Sequence, residues 1–186
     1  MTSIPLKVAE KMKDKAKYAK LAGVWALFYP HNNDETYLAL ILRKTYKGVH
    51  SAQVGFPGGK YEDADNDLMI TALRETEEEI GVPQNAIQVI SAMSPIYIPP
   101  SNFKVHPYIG ITHTTPKFIK QDDEVEAIIE VKLSTLMNDA NVITTTVPTS
   151  YNIHVEVPAF QLNNHIVWGA TAMMLSELKD LLKQII

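Results

Sequence analysis

Residues 65 to 83 constrain this chain more than any other stretch, because they carry the start, the periodicity and the stop of one helix. Asp65, Asn66 and Asp67 are candidate N-caps, whose side-chain oxygens accept from the free N–H groups of a first turn. Gly81 and Pro83 end the element, since glycine tolerates the left-handed cap and proline cannot continue a helix. The spacing predicts a helix from about Asp67 to Ile80. At about 100° per residue, Met69, Leu73, Thr76 and Ile80 form a stripe suited to packing on a core. Glu75, Glu78 and Glu79 gather on another face, Glu79 nearest the stripe, with Arg74 at their flank and Glu77 apart.

Such a cluster is a liability. Like charges three and four residues apart cost about 0.2–0.5 kcal/mol per pair, and the C-terminal end of a helix disfavours anions. Mg²⁺ or Mn²⁺ would remove both objections, because hard divalent cations take oxygen ligands from clustered carboxylates. A merely solvated acidic face is the competing reading. The turn Phe56-Pro57-Gly58-Gly59 lies just upstream, so turn and acidic face can converge on one pocket. Glycine there lets backbone approach a ligand and offers a carbonyl.

The remainder reads mostly as strands: Val24–Tyr29, Tyr37–Arg43, His50–Gly59, Ile87–Met93, Lys104–Thr112, Ala127–Leu133, Val142–Val147, Ile153–Phe160 and Ile166–Trp168. The turn-rich Pro30 to Asp34 joins the first two. Leu6 to Leu21 reads as a Lys-rich helix stopped by Gly23, with a solvated face. A last helix is expected from about Ala170 to Ile186, with Met174, Leu178, Leu181 and Ile185 on its apolar side. This order implies an α+β fold, an α/β sandwich with a mixed sheet packed between helices. At 186 residues the chain suits a single domain, 1–186, with residues 1–22 as an N-terminal helical extension.

Composition excludes several chemistries. There is no cysteine, hence no disulfide scaffold, zinc–thiolate site, iron–sulfur cluster or cysteine nucleophile. The six histidines have no partner three or four residues away, so no local zinc motif exists. A net charge of −4 argues against a nucleic-acid partner. Met1 to Lys20 lacks the apolar centre of a signal peptide, and no apolar run approaches the ~18 residues of a membrane span. The expectation is a cytoplasmic protein without a membrane partner.

Gly59 to Val82, GKYEDADNDLMITALRETEEEIGV, resembles the Nudix box, G-x5-E-x7-R-E-U-x-E-E-x-G-U with U bulky and apolar. Arg74-Glu75, Glu78-Glu79 and Gly81-Val82 match in type and spacing. Thr76 departs from the usual aliphatic residue. Asp65 stands at the first acidic position with one extra residue behind it, so the resemblance assigns it no role. The resemblance implies a hydrolase that cleaves a nucleoside diphosphate linked to another moiety, using Mg²⁺ or Mn²⁺. Glu75, Glu78 and Glu79 would hold the metal beside the Gly59 backbone, and Arg74 would orient Glu75. A further acidic residue from a remote loop often serves as base or ligand. Among Asp122, Asp123, Glu124 and Glu126 we select Glu124, with a plain hydrophilic turn as the equal alternative.

The preceding segment, LALILRKTYKGVHSAQVGFPGGK, resembles the coenzyme A branch of that family. Arg43 and Phe56-Pro57-Gly58-Gly59 keep its register. Lys44, Gly48 and Ala52 replace a small residue, an arginine and a glycine. Residues 103–108 and 166–172 are also similar to the branch. The implied substrate is coenzyme A or its thioesters, split into 3′,5′-ADP and a 4′-phosphopantetheine product, with Arg43, Lys44, Phe56 and Gly58 as substrate-binding residues. Lys44 and Lys47 are candidates to face the 3′-phosphate, solvent exposure being the simpler reading. Trp168 and Tyr108 read as core aromatics ahead of base-stacking platforms. Alternatives are ADP-ribose or a dinucleotide as substrate, or a binding module without turnover. The resemblance also makes a homodimer an expectation.

Overall fold

Strand β1 (Lys20–Pro30) is buried continuously from Ala22 to Tyr29, as the run AGVWALFY demands of a strand covered on both faces. Ala22, Val24, Ala26 and Phe28 enter one apolar cluster, while Trp25, Leu27 and Tyr29 enter another. Alternation across the pleat therefore creates two cores from one strand. The structure is a computed structural model that describes residues 15–31, 35–44, 53–148 and 154–185.

The other elements are β2 (Thr36–Arg43), β3 (Val54–Gly55), β4 (Gly58–Lys60), α1 (Leu68–Ile80), β5 (Gln88–Ala92), β6 (Ile96–Ile98), β7 (Phe103–Ile111), β8 (Val125–Lys132), α2 (Leu133–Met137), β9 (Val142–Pro148), β10 (His154–Leu162), β11 (His165–Trp168) and α3 (Gly169–Leu182). Among the described residues, an eight-stranded sheet runs β3-β2-β1-β7-β5, with β4 on β1, β6 on β7 and β8 on β2. The β1–β7 pairing is parallel and every other pairing antiparallel. β9, β10 and β11 form a separate antiparallel sheet. Helix α1 closes one core with Ala72, Leu73 and Ile80; α3 closes the other with Ala172, Met174, Leu175 and Leu178. The sheet thus lies between helices, as expected.

Several expectations are corrected. Lys20 and Leu21 belong to β1, paired with Phe103 and Lys104 of β7, and not to a helix. Helical backbone in this region ends at Ala16, and residues 6–14 of the expected helix lie outside the described residues. Gly23 is no helix stop. A β-carbon there would meet the Leu68 carbonyl at 2.0 Å, so glycine lets α1 press directly on β1. The strand expected over His50–Gly59 is two short ones, β3 and β4, split at Phe56-Pro57, with 50–52 undescribed. On α3 the buried positions are Ala172, Met174, Leu175, Leu178 and Lys179, while Leu181 and Ile185 are exposed. β6 and α2 were not anticipated; β6 spans three residues and α2 five, too brief to show a period. Among the described residues no helix is long and apolar enough to cross a membrane.

Candidate active site

The three cap candidates have separate tasks. Asp67 caps α1, accepting from the Ile70 N–H at 2.8 Å. Asp65 is buried and accepts from four donors: Glu62 N–H (3.0 Å), Thr71 Oγ1 (2.8 Å), Arg74 Nε (2.9 Å) and Arg74 Nη2 (3.0 Å). The Arg74 guanidinium holds the Asp65 carboxyl far below the usual carboxylate range, against the opposing effect of burial. Held in this way, Arg74 reaches Glu75 Oε1 at 3.2 Å and Glu78 Oε2 at 3.0 Å. At the other end Gly81 takes the left-handed cap, φ 73°, its N–H donating to the Glu77 carbonyl.

Glu79 is the unusual carboxylate. It is buried, accepting from the Gly58 N–H (2.7 Å) and from Arg43 Nη1 (3.0 Å), while Arg43 Nη2 donates to the Gly58 carbonyl (2.7 Å). Burial pushes its pKa up to about 7, although Arg43 and the Gly58 N–H oppose this, and Glu75 and Glu124 add to the rise. Glu75 is raised too, chiefly by burial, with Arg74 opposing. Ligand oxygens of Glu75, Glu79 and Glu124 lie within 4.8 Å of one another.

Backbone geometry builds this trio. A β-carbon at Gly59 would fall 2.3 Å from Glu75 Oε2, and one at Gly58 (φ 131°) would fall 2.3 Å from the Gly23 carbonyl. A side chain at Gly59 would push against Glu75 of α1, and one at Gly58 would push the turn off β1. The loop bearing Glu124 is fastened to the end of α1: Ile119 N–H donates to the Ile80 carbonyl and Gln121 N–H to the Glu79 carbonyl. The Glu124 carbonyl in turn accepts from the Lys44 N–H at 2.9 Å.

Of the residues selected from sequence, the structure brings together Arg43, Gly58, Gly59, Arg74, Glu75, Glu79 and Glu124. Glu78 is exposed and bound to Arg74, outside the trio. Phe56, expected at the substrate, is instead a core residue beside Val54, 2% exposed, and anchors the turn from behind. Gly58 commits its N–H to Glu79 and its carbonyl to Arg43. Lys44 is half-buried next to the loop, and Lys47 lies outside the described residues. Tyr108 is the expected core aromatic, 5.5 Å from the Trp25 ring. Trp168 is not; it is 37% exposed.

A model of the NUDIX domain family matches residues 20–145. The chain belongs to the Nudix family. An uncharacterized Nudix hydrolase named NudL, from Yersinia pestis (strain Pestoides F), is 31% identical over 149 residues, covering 77% of this chain and 71% of its own. Among solved structures, the Nudix hydrolase RenU of M. smegmatis superposes with TM-score 0.62 at 13% identity, covering 90% of this chain and 88% of that one. The NUDIX domain of Shewanella oneidensis NrtR, complexed with ADP ribose, gives 0.57 at 14%, covering 88% of each chain. These likenesses establish the Nudix fold, and the family makes the chain a Nudix hydrolase, an enzyme of the pyrophosphohydrolase class.

Nudix hydrolases generally use divalent metals, and the residues present fit one. The trio supplies only oxygen donors, and two of its carboxylates have pKa values raised by burial, so ionising them calls for a nearby cation. Sequence reasoning missed the task of Asp65, because the extra residue behind it breaks the Nudix spacing. The available signal was the pair Asp65 and Thr71 ahead of Arg74, a hydroxyl placed to hold the carboxylate that grips the guanidinium.

Proposed function

We propose that this chain hydrolyses the diphosphate of a nucleoside diphosphate derivative, with coenzyme A or its thioesters as the favoured substrate. The observation that carries the reading is the trio Glu75, Glu79 and Glu124, set beside the Asp65–Arg74 brace. The trio would hold Mg²⁺ or Mn²⁺, and such an ion supplies charge neutralisation to the diphosphate and acidity to water.

The protein's own residues divide the remaining work. Arg74, locked by Asp65, fixes the Glu75 carboxylate; Arg43 and the Gly58 N–H fix Glu79. Glu124 is the exposed member of the trio and accepts the proton of the attacking water. The oxygen of that water forms a bond to one phosphorus as the bridging P–O bond breaks, leaving two phosphate monoesters. Glu78 supports Arg74 from the solvent side.

The likeness of residues 38–60 to the coenzyme A branch supports the substrate, since Arg43, Gly58 and Gly59 all meet the trio. We also take residues 1–186 as one domain, because β10, β11 and α3, beyond the family match, contribute Phe160, Leu162, Val167 and Leu175 to the shared core. A panel of coenzyme A, acetyl-coenzyme A, ADP-ribose, NADH and diadenosine polyphosphates, with Mg²⁺ or Mn²⁺, tests the proposal through kcat/KM. Coenzyme A should rank first. ADP-ribose ranking above it overturns the substrate, and the absence of metal-dependent turnover overturns the reaction.

A further inference from the structure

A cavity of about 340 Å³ opens beside the β2–β3 pair, lined by Leu42, Gln53, Val54, Asn164, His165, Ile166 and Trp168. This is the low end of the size of small-molecule sites, about 300–1,000 Å³. The lining carries no Lys, Arg, Asp or Glu. It offers an indole, an imidazole (His165), three aliphatic side chains and two amides, each amide with both a donor and an acceptor.

Two features set Trp168 apart. It is the N-cap of α3, where Ser, Thr, Asp or Asn is strongly preferred, and its side chain makes no capping bond. Together with Ile166, two positions away on the same strand face, it exposes a large apolar surface, 37% and 47% accessible. Neither core packing nor helix stability accounts for that placement.

The cavity and the acidic site lie on opposite faces of β2 and approach each other at the sheet edge. Leu42 lines the cavity on the α3 side, and the next residue, Arg43, binds Glu79 and the Gly58 carbonyl on the α1 side. Val54 also lines it, its carbonyl accepting from Thr171 Oγ1 in the first turn of α3. A β-carbon at the adjacent Gly55 would lie 4.0 Å from both Arg43 Nε and Thr171 Oγ1. A ligand with its diphosphate at the trio that passes the sheet edge at Gly55 would meet this space, walled by Trp168 and His165, with its next group.

We propose that this cavity receives the purine base of the substrate's nucleotide half, stacked on Trp168 with its edge read by the amides of Asn164 and Gln53. An indole face suits any base, and an amide pairs with the donor and acceptor edge of adenine. The proposal rests on the nucleoside diphosphate reading above. It names the residues that select the nucleotide end over the uncharged arm of the substrate.

The chain has two tryptophans, and Trp25 is fully buried, so acrylamide quenching of intrinsic fluorescence reports Trp168. ADP, titrated without divalent metal, should shield Trp168 from acrylamide, and 4′-phosphopantetheine should not. Trp168→Leu should raise KM for coenzyme A roughly tenfold or more with kcat little changed, since a stacking face is lost. Trp168→Phe, which keeps an aromatic face, should stay close to the parent; a mere filler of space would not separate the two variants. Shielding by phosphopantetheine and not by ADP overturns the proposal. So does a Trp168→Leu protein that folds with unchanged KM. If ADP shields Trp168 but no member of the substrate panel is hydrolysed, the catalytic reading falls and this one stands. If coenzyme A is cleaved and ADP gives no shielding, this one falls alone.

Discussion

Two buried carboxylates at opposite ends of α1 are each bound by an arginine, yet their acidities move in opposite directions. Asp65 is held well below the usual range and Glu79 is pushed up to about 7. The difference lies in what surrounds each pair. Asp65 accepts from four donors and faces no other carboxylate among its partners, so its charge is fully compensated. Glu79 accepts from two donors and shares its space with Glu75 and Glu124, so its charge is in excess. One pair is complete as it stands; the other would be completed by the cation proposed above. An arginine beside a buried carboxylate therefore does not identify a structural ion pair until the remaining neighbours are counted.

Three changes would break or sharpen that contrast. The largest effect is expected from Glu79→Gln, which should lower Mg²⁺- or Mn²⁺-dependent hydrolysis by roughly a thousandfold or more. Its metal-free melting temperature should hold or rise, because a neutral amide replaces an uncompensated buried charge. Undiminished turnover would remove Glu79 from the metal site. Asp65→Ala should do the reverse, costing about 3–5 kcal/mol of stability by breaking the buried Arg74 pair and leaving the Thr71 hydroxyl and the Glu62 N–H without the carboxylate that accepts from them. That is a fall in melting temperature of roughly 10 °C, with kcat reduced through Glu75 and KM less affected. A protein as stable as the parent would show that Glu75, Glu78 and the Lys60 carbonyl, which accepts from Arg74 Nη2 at 3.3 Å, suffice to hold Arg74.

The smallest effect is a pH dependence. Glu79 has an ordinary value of 4.5 and a folded value of about 7, so the folded chain favours the protonated form. The stability it contributes is fully present below pH 4.5 and is lost as pH rises through about 7. Metal-free protein should therefore melt lower at pH 8 than at pH 5.5, and saturating Mg²⁺ or Mn²⁺ should flatten that slope. Asp65 moves oppositely, its contribution being present above 3.8 and lost only in stronger acid. A scan of melting temperature against pH, with and without metal, separates the two groups.

Much of this was legible in the sequence because it is local. Capping residues, an apolar stripe and a turn rich in glycine are short-range signals, and they placed α1, the turn before it and most strands. What escaped depends on long-range packing. Glu78 and Glu79 are neighbours on one acidic face by sequence, but Glu79 lies buried against the Gly58 turn and Arg43 from distant strands, while Glu78 stays in solvent. Lys20 and Leu21 look like the end of a lysine-rich helix, yet pairing with β7 across 83 residues draws them into the sheet. Trp168, expected in the core, is exposed because β11 and the start of α3 turn that position toward the cavity.

The two hydrogen bonds that hang the Glu124 loop on α1 have a consequence for how this scaffold tolerates change. Ile119 and Gln121 fix the loop's register to the carbonyls of Ile80 and Glu79, after the stretch from Thr112 to Phe118 has crossed from β7. The aim of Glu124 is thereby set by the carbonyls at the end of α1 and is inherited from the helix, so any change that shifts the last turn of α1 carries the loop with it.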